Sequence, residues 1–474
     1  MLVGLVALAA CRPAAPDPQL VAQWLRTSLA FVRSERLGPP VAARVSAYSS
    51  IAMYEAYAAD PRSNLRSLAG QLNGLWTLPG VANGRAIDGA TAAAEAERVV
   101  LDSLFAEGFP STRHTIDSLA DAQIQARRRQ GVRADVSERS ILYGKELGAA
   151  ILAWAATDGF FATRGRPWVP PTSQDKWVNT ATTDQFVAQQ LSAESDIVLT
   201  GSAAPTTDAA TASTRNVFAN RPKAVNPKTT LPQFDPLKPT EPYWGTLRTF
   251  ALRNGDECAP PPPPAYSTRP GSPFWKMGKE MFDSARAPTD SQKAIAFFWA
   301  DNPVATGTPG FHWISVVNQM IPARGLTADQ AAEAYMLTSV AIADAFIGCW
   351  REKYRSMVVR PVTYVHRVFD AKWTTLFGTP PFPEYPSGHS ALSGAAVGVL
   401  VHLLGDSTAF TDSTQVDIGV PSRSFRNFSH ALDEVAMSRV YGGIHFMPAV
   451  VLGRIQGQCI AGKVVGRLKT RGDN

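Results

Sequence analysis

The sequence predicts an all-α protein built from helical bundles, and three observations carry that prediction. Alanine, the strongest helix former, is abundant throughout. Apolar residues recur three and four apart over long stretches, the spacing of one helix face. The β-branched runs that mark strands are few. At 474 residues, with 45% hydrophobic and 18% charged content, the chain is globular and long enough for one large domain or two.

The elements follow in order. Helical periodicity covers 19–32, then resumes over 41–58 after Pro39-Pro40 interrupts it. Three more helical patterns occupy 91–104, 115–129 and 138–156. From 164 to 242 periodicity gives way to Thr, Pro, Asn and Ala, which reads as a functional loop layer or an insertion. The run Pro260 to Pro264 is a stiff polyproline spacer, placed as a soft domain boundary. Helices then resume over 273–286, 291–300, 327–354, 387–404, 429–439 and 449–468. No repeat of 20–50 residues is present. The organisation is therefore 1–20 as signal and tether, 21–259 as an N-terminal helical region with a long loop insertion, and 260–474 as a C-terminal helical domain.

Composition excludes some functions. The net charge of +6 is mild for this length, and the arginines are scattered rather than interleaved with aromatics, so nucleic acid is not an expected partner. No segment reads as 18 continuous apolar residues; the best stretch, 391–404, reads as a buried core helix, so no transmembrane segment is expected. The apolar run from Leu2 to Ala10 before Cys11 has the look of a bacterial lipoprotein signal. That implies an exported protein, periplasmic or anchored to the outer membrane through a lipid at Cys11. The four cysteines show no pairing pattern, so no disulfide framework is expected. A homo-oligomer remains open.

Three segments carry candidate chemistry. In the first, Lys353 and Arg360 are seven apart, two turns of a persisting helix, and Pro361 ends the element. In the second, Pro386-Ser387-Gly388-His389 precedes an apolar helix. Ser387 stands at the N-cap, Gly388 lets a backbone N–H approach an anion at the positive helix end, and His389 lies in the first turn. In the third, a helix delivers Ser438-Arg439, and Gly442-Gly443 breaks it so that His445 turns toward the same point. Singly, each has a bland explanation in surface cations, an ordinary cap and a glycine turn. Together, in one chain and in this order, they outweigh those bland explanations.

In this order the segments resemble the signature shared by vanadium haloperoxidases and type 2 phosphatidic acid phosphatases: Lys, six residues, Arg-Pro; Pro-Ser-Gly-His; Ser-Arg, five residues, His. The likeness spans 350–446, with weaker echoes at 298–303 and 52–56. The resemblance implies a vanadate cofactor, at a site phosphate can also occupy, at the end of the C-terminal bundle. Lys353, Arg360 and Arg439 would bind its equatorial oxygens with the Ser387 hydroxyl and the Gly388 N–H. His445 would be the axial ligand to vanadium and His389 the acid–base group, with Lys353 polarising the peroxide. The substrates implied are hydrogen peroxide and a halide, and Trp350 and Phe382 match aromatic positions of the halide pocket.

The rival from the same signature is an acid phosphatase working through a phosphohistidine at His445, with His389 protonating the leaving group. A third reading is a non-catalytic anion-binding lipoprotein. Aromatic Trp350 and Phe382, the length of the chain and the missing membrane spans favour the peroxidase. One departure stands out. Where many members carry an Asp four residues after the second histidine, this chain has Ala449, so another acid or a carbonyl must orient His445. Asp301 is a candidate partner of Arg439. Glu384 either tunes His389 or faces water. His312, His366, His402 and His430 are expected to be structural.

Overall fold

The fold was derived from a computed structural model, which describes residues 13–81, 84–181, 231, 234–302, 306–407 and 409–472. The expected signal run and Cys11, and most of the 164–242 stretch, lie outside them. All-α is the observed class: helices dominate, and the single sheet among the described residues is a two-stranded hairpin.

The N-terminal part comprises α1 (Gln19–Ser34), α2 (Pro39–Ala58), α3 (Gly89–Leu104), α4 (Pro110–Arg129), α5 (Ala134–Ala155) and the single turn α6 (Phe160–Thr163). Pro39-Pro40, read as an interruption, instead starts α2, because proline at the first helical positions forgoes only an N–H that has no partner anyway. Nearly all of α2 is buried, so its polar groups need partners. Buried Arg44, for instance, pairs with Asp158 at 2.6 Å.

The remainder comprises α7 (Pro273–Ala285), α8 (Asp290–Phe298), α9 (Thr308–Ala323), α10 (Ala328–Ser356), α11 (Pro361–Val368), α12 (Gly388–Leu404), α13 (Phe428–Tyr441) and α14 (Met447–Arg467). The hairpin pairs β1 (Phe410–Asp412) with β2 (Arg423–Phe425), antiparallel, between α12 and α13. Helices α9 and α11 and this hairpin were not anticipated. Proline at the start of α9 and α11 obscured both, and three-residue strands are too short to show a period.

The organising element is α10. Thr327 and Gln330 form a capping box at its start, and its 29 residues run through the middle of the protein. One side meets α2, and another meets α12 and α14. By length and composition it could cross a membrane, a candidate the sequence reading passed over, yet the whole apolar stretch is buried inside the protein. Apolar residues from both sides of the Pro260 run, Leu20 through Leu468, enter one core.

Helix α12 packs against α14 along glycines on both helices. A Cβ at Gly457 would lie 2.1 Å from the Ala391 carbonyl oxygen, and one at Gly398 would lie 2.4 Å from the Ala461 Cβ. Close approach of the two backbones therefore requires glycine at both places. A further tie was not expected: Cys258 and Cys459 form a disulfide, and among the described residues Cys349 is buried and free. The pairing was invisible in the sequence because the partners are 201 residues apart and only the fold brings them together.

Candidate active site

The three motif segments converge at one end of α10, α12 and α14. Helix α10 does not persist to Arg360. It ends at Ser356, with Met357 in the left-handed conformation (φ 54°) donating its N–H to the Lys353 carbonyl. The chain then runs extended, so Arg360 is the residue before α11 rather than part of the Lys353 helix. Pro361 opens α11 at its first position instead of closing α10. Lys353 and Arg360 still converge, through a turn rather than a shared helix face.

Both cations are wholly buried, and both hold the loop that carries Glu384. The Lys353 ammonium donates to the carbonyls of Pro383 (2.9 Å), Glu384 (3.0 Å) and Pro386 (2.5 Å). Its three protons are thus committed to backbone oxygens, and one must be released for it to touch an anion. Burial pushes its pKa down to about 7. Arg360 donates to the carbonyls of Phe382 (2.9 Å) and Ile444 (2.9 Å).

Ser387 occupies the N-cap of α12, accepting from the Ser390 N–H at 3.4 Å and the Ser390 hydroxyl at 3.0 Å. Its own hydroxyl proton stays available for a ligand. Gly388 supplies the first helical N–H, one of the groups a helix leaves without an internal partner. Arg439 arrives on the last turn of α13, donating from one terminal nitrogen to the Trp299 carbonyl. Gly442 and Gly443 then end the helix as expected. Gly443 takes φ 74°, and a Cβ there would sit 2.8 Å from the Trp373 ring.

His445 is oriented from both sides. Glu384 Oε1 accepts the Phe446 N–H at 2.9 Å and stands 2.9 Å from His445 Nδ1. On the other side of the ring, Arg360, which can only donate, lies 3.2 Å from Nε2. Nδ1 therefore carries the proton and Nε2 presents a lone pair. Burial, then the charges of Arg360, Lys353 and Arg439, hold the ring well below the usual histidine pKa, so it stays neutral. Glu384 thus supplies the acid that Ala449 does not. It contacts His445, not His389 or water, and burial pushes its own pKa up to about 7.

A cavity meets this cluster at Gly388, His389 and Arg439. Trp350, Phe382, Phe346 and Leu392 form much of its apolar wall; Gly388, His389, Arg439 and Asp301 give it a polar floor. The Trp350 and Phe382 rings lie 4.9 Å apart, and Lys353 Nζ is 5.0 Å from the Phe382 centroid. Two buried polar nitrogens in the floor lack hydrogen-bond partners among the described residues: His389 Nε2 and Arg439 Nε. Buried polar atoms are normally satisfied, so this pair marks where a ligand belongs. Three cations, a free hydroxyl proton, a helix-terminal N–H and a neutral imidazole suit an oxyanion such as vanadate or phosphate. Among the described residues no cluster of His, Cys, Asp or Glu suits a bare metal ion.

Asp301 stands beside this floor, 3.7 Å from His389 Nε2. Its field favours the charged form of Arg439, as its expected pairing requires, but its direct partner is His312 at 2.8 Å. His312, expected to be structural, is joined to the site through Asp301.

The family model described as the VCPO second helical-bundle domain matches residues 333–473. No curated protein matches the chain. Among solved structures, a bacterial vanadium-dependent iodoperoxidase is 31% identical, with a TM-score of 0.78, over 98% of this chain and 99% of that one. The holo form of a bacterial vanadium-dependent chloroperoxidase is 15% identical, with a TM-score of 0.61 over 95% of each chain. Its apo form is also 15% identical, with a TM-score of 0.59 over 91% of this chain and 95% of that one; these two likenesses speak to fold alone. With nearly a third of its residues identical to the iodoperoxidase from end to end, this chain belongs to the vanadium haloperoxidase family.

Proposed function

We propose that this protein oxidises halide with hydrogen peroxide, consuming one proton and yielding hypohalous acid and water, on a vanadate held in the Lys353–Arg360–Ser387–Gly388–His389–Arg439–His445 cradle. When bound, vanadate supplies a Lewis-acid centre that activates the peroxide oxygen toward halide. His445 would offer its Nε2 lone pair once Arg360 gives up the contact it makes there, and Arg360, Arg439, the Ser387 hydroxyl and the Gly388 N–H would hold the oxyanion. Lys353 adds charge from beneath the loop. His389, with Nε2 facing the cavity and unpartnered, accepts the proton of an incoming peroxide. Trp350 and Phe382 form an apolar site for a weakly hydrated anion, which, together with the iodoperoxidase likeness, makes iodide the proposed halide.

The observation that carries this reading is the neutral His445 ring, held by Glu384 and Arg360 with its lone pair toward the cationic cluster. The same oriented ring serves the phosphatase alternative, because an acid that fixes Nδ1–H also readies Nε2 as a nucleophile. Ala449 in place of an Asp therefore does not distinguish the two.

The test is to load the apoprotein with orthovanadate and supply peroxide with iodide, bromide or chloride, beside a phosphate-monoester assay. Vanadate-dependent halide oxidation, fastest with iodide, is expected. Ester hydrolysis without halide oxidation overturns the reading in favour of the phosphatase; sulfate binding with neither activity leaves an anion-binding protein. Glu384→Gln, which disturbs the acceptor of His445, is expected to cut vanadate affinity ~10–100-fold.

Export as a lipoprotein anchored at Cys11 is also a proposal. The Cys258–Cys459 disulfide supports it, since disulfides persist in oxidising compartments. Intact-mass measurement of membrane-fraction protein, with and without Cys11→Ser, tests the anchor.

A further inference from the structure

Beside His389, the buried side chains of Asp301, His312, Asp412 and Gln415 form a polar cluster between the hairpin and the cavity. His312 on α9 is 1% exposed and lies between two carboxylates. Its Nδ1 is 2.8 Å from Asp301 Oδ1 and its Nε2 is 2.8 Å from Asp412 Oδ2, on β1. A carboxylate only accepts, so both ring nitrogens must donate, and an imidazole that donates twice carries a positive charge. Two further observations agree. The Gln415 amide nitrogen, also a donor, bonds Asp301 Oδ1 at 3.0 Å. The Trp299 ring stacks on the imidazole at 4.5 Å and 25°. Burial opposes the charge, yet the two carboxylates prevail and raise the His312 pKa to about 10.

This arrangement fixes Asp301. Its Oδ1 is taken by His312 and Gln415, which leaves Oδ2 facing His389 Nε2 at 3.7 Å. An isolated buried carboxylate at that distance would draw a proton onto His389 and remove it as a base. We propose that His312 is a positioning residue: a permanently charged imidazolium that holds Asp301 in place and offsets its negative field, so that His389 stays neutral. The inference rests on His389 being the acid–base group of the proposed function. The groups facing His389 are Asp301 and the Ala300 carbonyl before α9, His312 on α9, Lys353 on α10, Arg439 on α13 and His445 beyond it. His312, Arg439 and Lys353 oppose its protonation, while Asp301 and the carbonyl favour it. Removing His312 deletes one opposing charge and frees Asp301 at the same time.

The test is nitrogen NMR of the full-length protein with ring-labelled histidine, without vanadate, peroxide or halide, so failure of the peroxidase reading cannot be mistaken for failure here. The seven histidines are assigned by single His→Gln variants. In the wild type, His312 is expected to show both ring nitrogens protonated throughout pH 5–9. In His312→Gln, the His389 midpoint is expected to rise by about one unit or more. Asp412→Asn removes one of the two acceptors that hold His312 charged, and is expected to lower the His312 midpoint and to raise that of His389 by less than His312→Gln does. A merely structural role predicts no such coupling. A neutral His312 in the wild type, an unmoved His389 midpoint in folded His312→Gln, or an Asp412→Asn variant in which the His389 midpoint stays fixed while that of His312 falls overturns the proposal. Should His312→Gln fail to fold, the wild-type spectrum of His312 and the Asp412→Asn response decide on the same terms.

Discussion

At the scale of single residues, the site is governed by desolvation. Lys353, Arg360 and Arg439 are each buried, and burial moves them toward neutrality, to about 7, 10 and 9 respectively. Lys353 therefore titrates in the physiological range. Its ammonium form exists below its folded pKa and is lost as pH rises through about 7. Glu384, pushed up to about 7, gains a negative charge over the same interval. Both changes oppose an anion. Affinity for sulfate, whose own charge is constant over this range, is thus expected to be highest below pH 7 and to fall about tenfold or more between pH 6 and 8. Isothermal titration calorimetry across that range checks it, and Lys353→Met should flatten much of the slope. A flat wild-type profile would show that neither group titrates where its burial places it.

At the scale of elements, the cradle depends on how closely α14 approaches the start of α12. A Cβ on Gly453 would lie 2.8 Å from the Ser387 carbonyl oxygen and 3.3 Å from its nitrogen, both backbone atoms that cannot simply swing away. The Ser387 N–H also bonds the Ala449 carbonyl at 3.0 Å, tying cap and helix together. Gly453→Ala is expected to destabilise the protein by about 1–3 kcal/mol and to weaken sulfate binding by displacing Ser387 and Gly388. Gly462, on the same helix, has open space where its Cβ would be. Gly462→Ala is expected to stabilise by about 0.5–1 kcal/mol with sulfate binding unchanged. Thermal melts and sulfate titrations of the two variants check the pair, and equal effects would refute the close-approach argument.

At the scale of the whole molecule, the two ends of the described chain share one core, with α10 between them. The Cys258–Cys459 disulfide reinforces this by closing a loop of 201 residues. In the chain-entropy picture so long a loop confers up to about 5 kcal/mol on the folded state. Cys258→Ser with Cys459→Ser, or a reducing agent, is expected to lower the melting temperature markedly while leaving sulfate affinity of the folded protein intact. Loss of binding at temperatures where the protein remains folded would show that the bridge holds the site as well as the fold.

What the sequence determined by itself is what depends on local chemistry. Helix periodicity marked most of the helices, and three short motifs, joined by their likeness to a known signature, pointed to Lys353, Arg360, Ser387, Gly388, His389, Arg439 and His445 as candidates, because each motif is a short-range pattern. It misjudged α10, whose end at Met357 needs a left-handed residue that no spacing rule announces. The tertiary structure alone decided which partners meet across long separations. Glu384 reaches His445 over 61 residues, Asp412 reaches His312 over 100, and Cys258 reaches Cys459 over 201. Such pairs leave no trace in a local pattern, because the chain between them contributes nothing to the contact except its path.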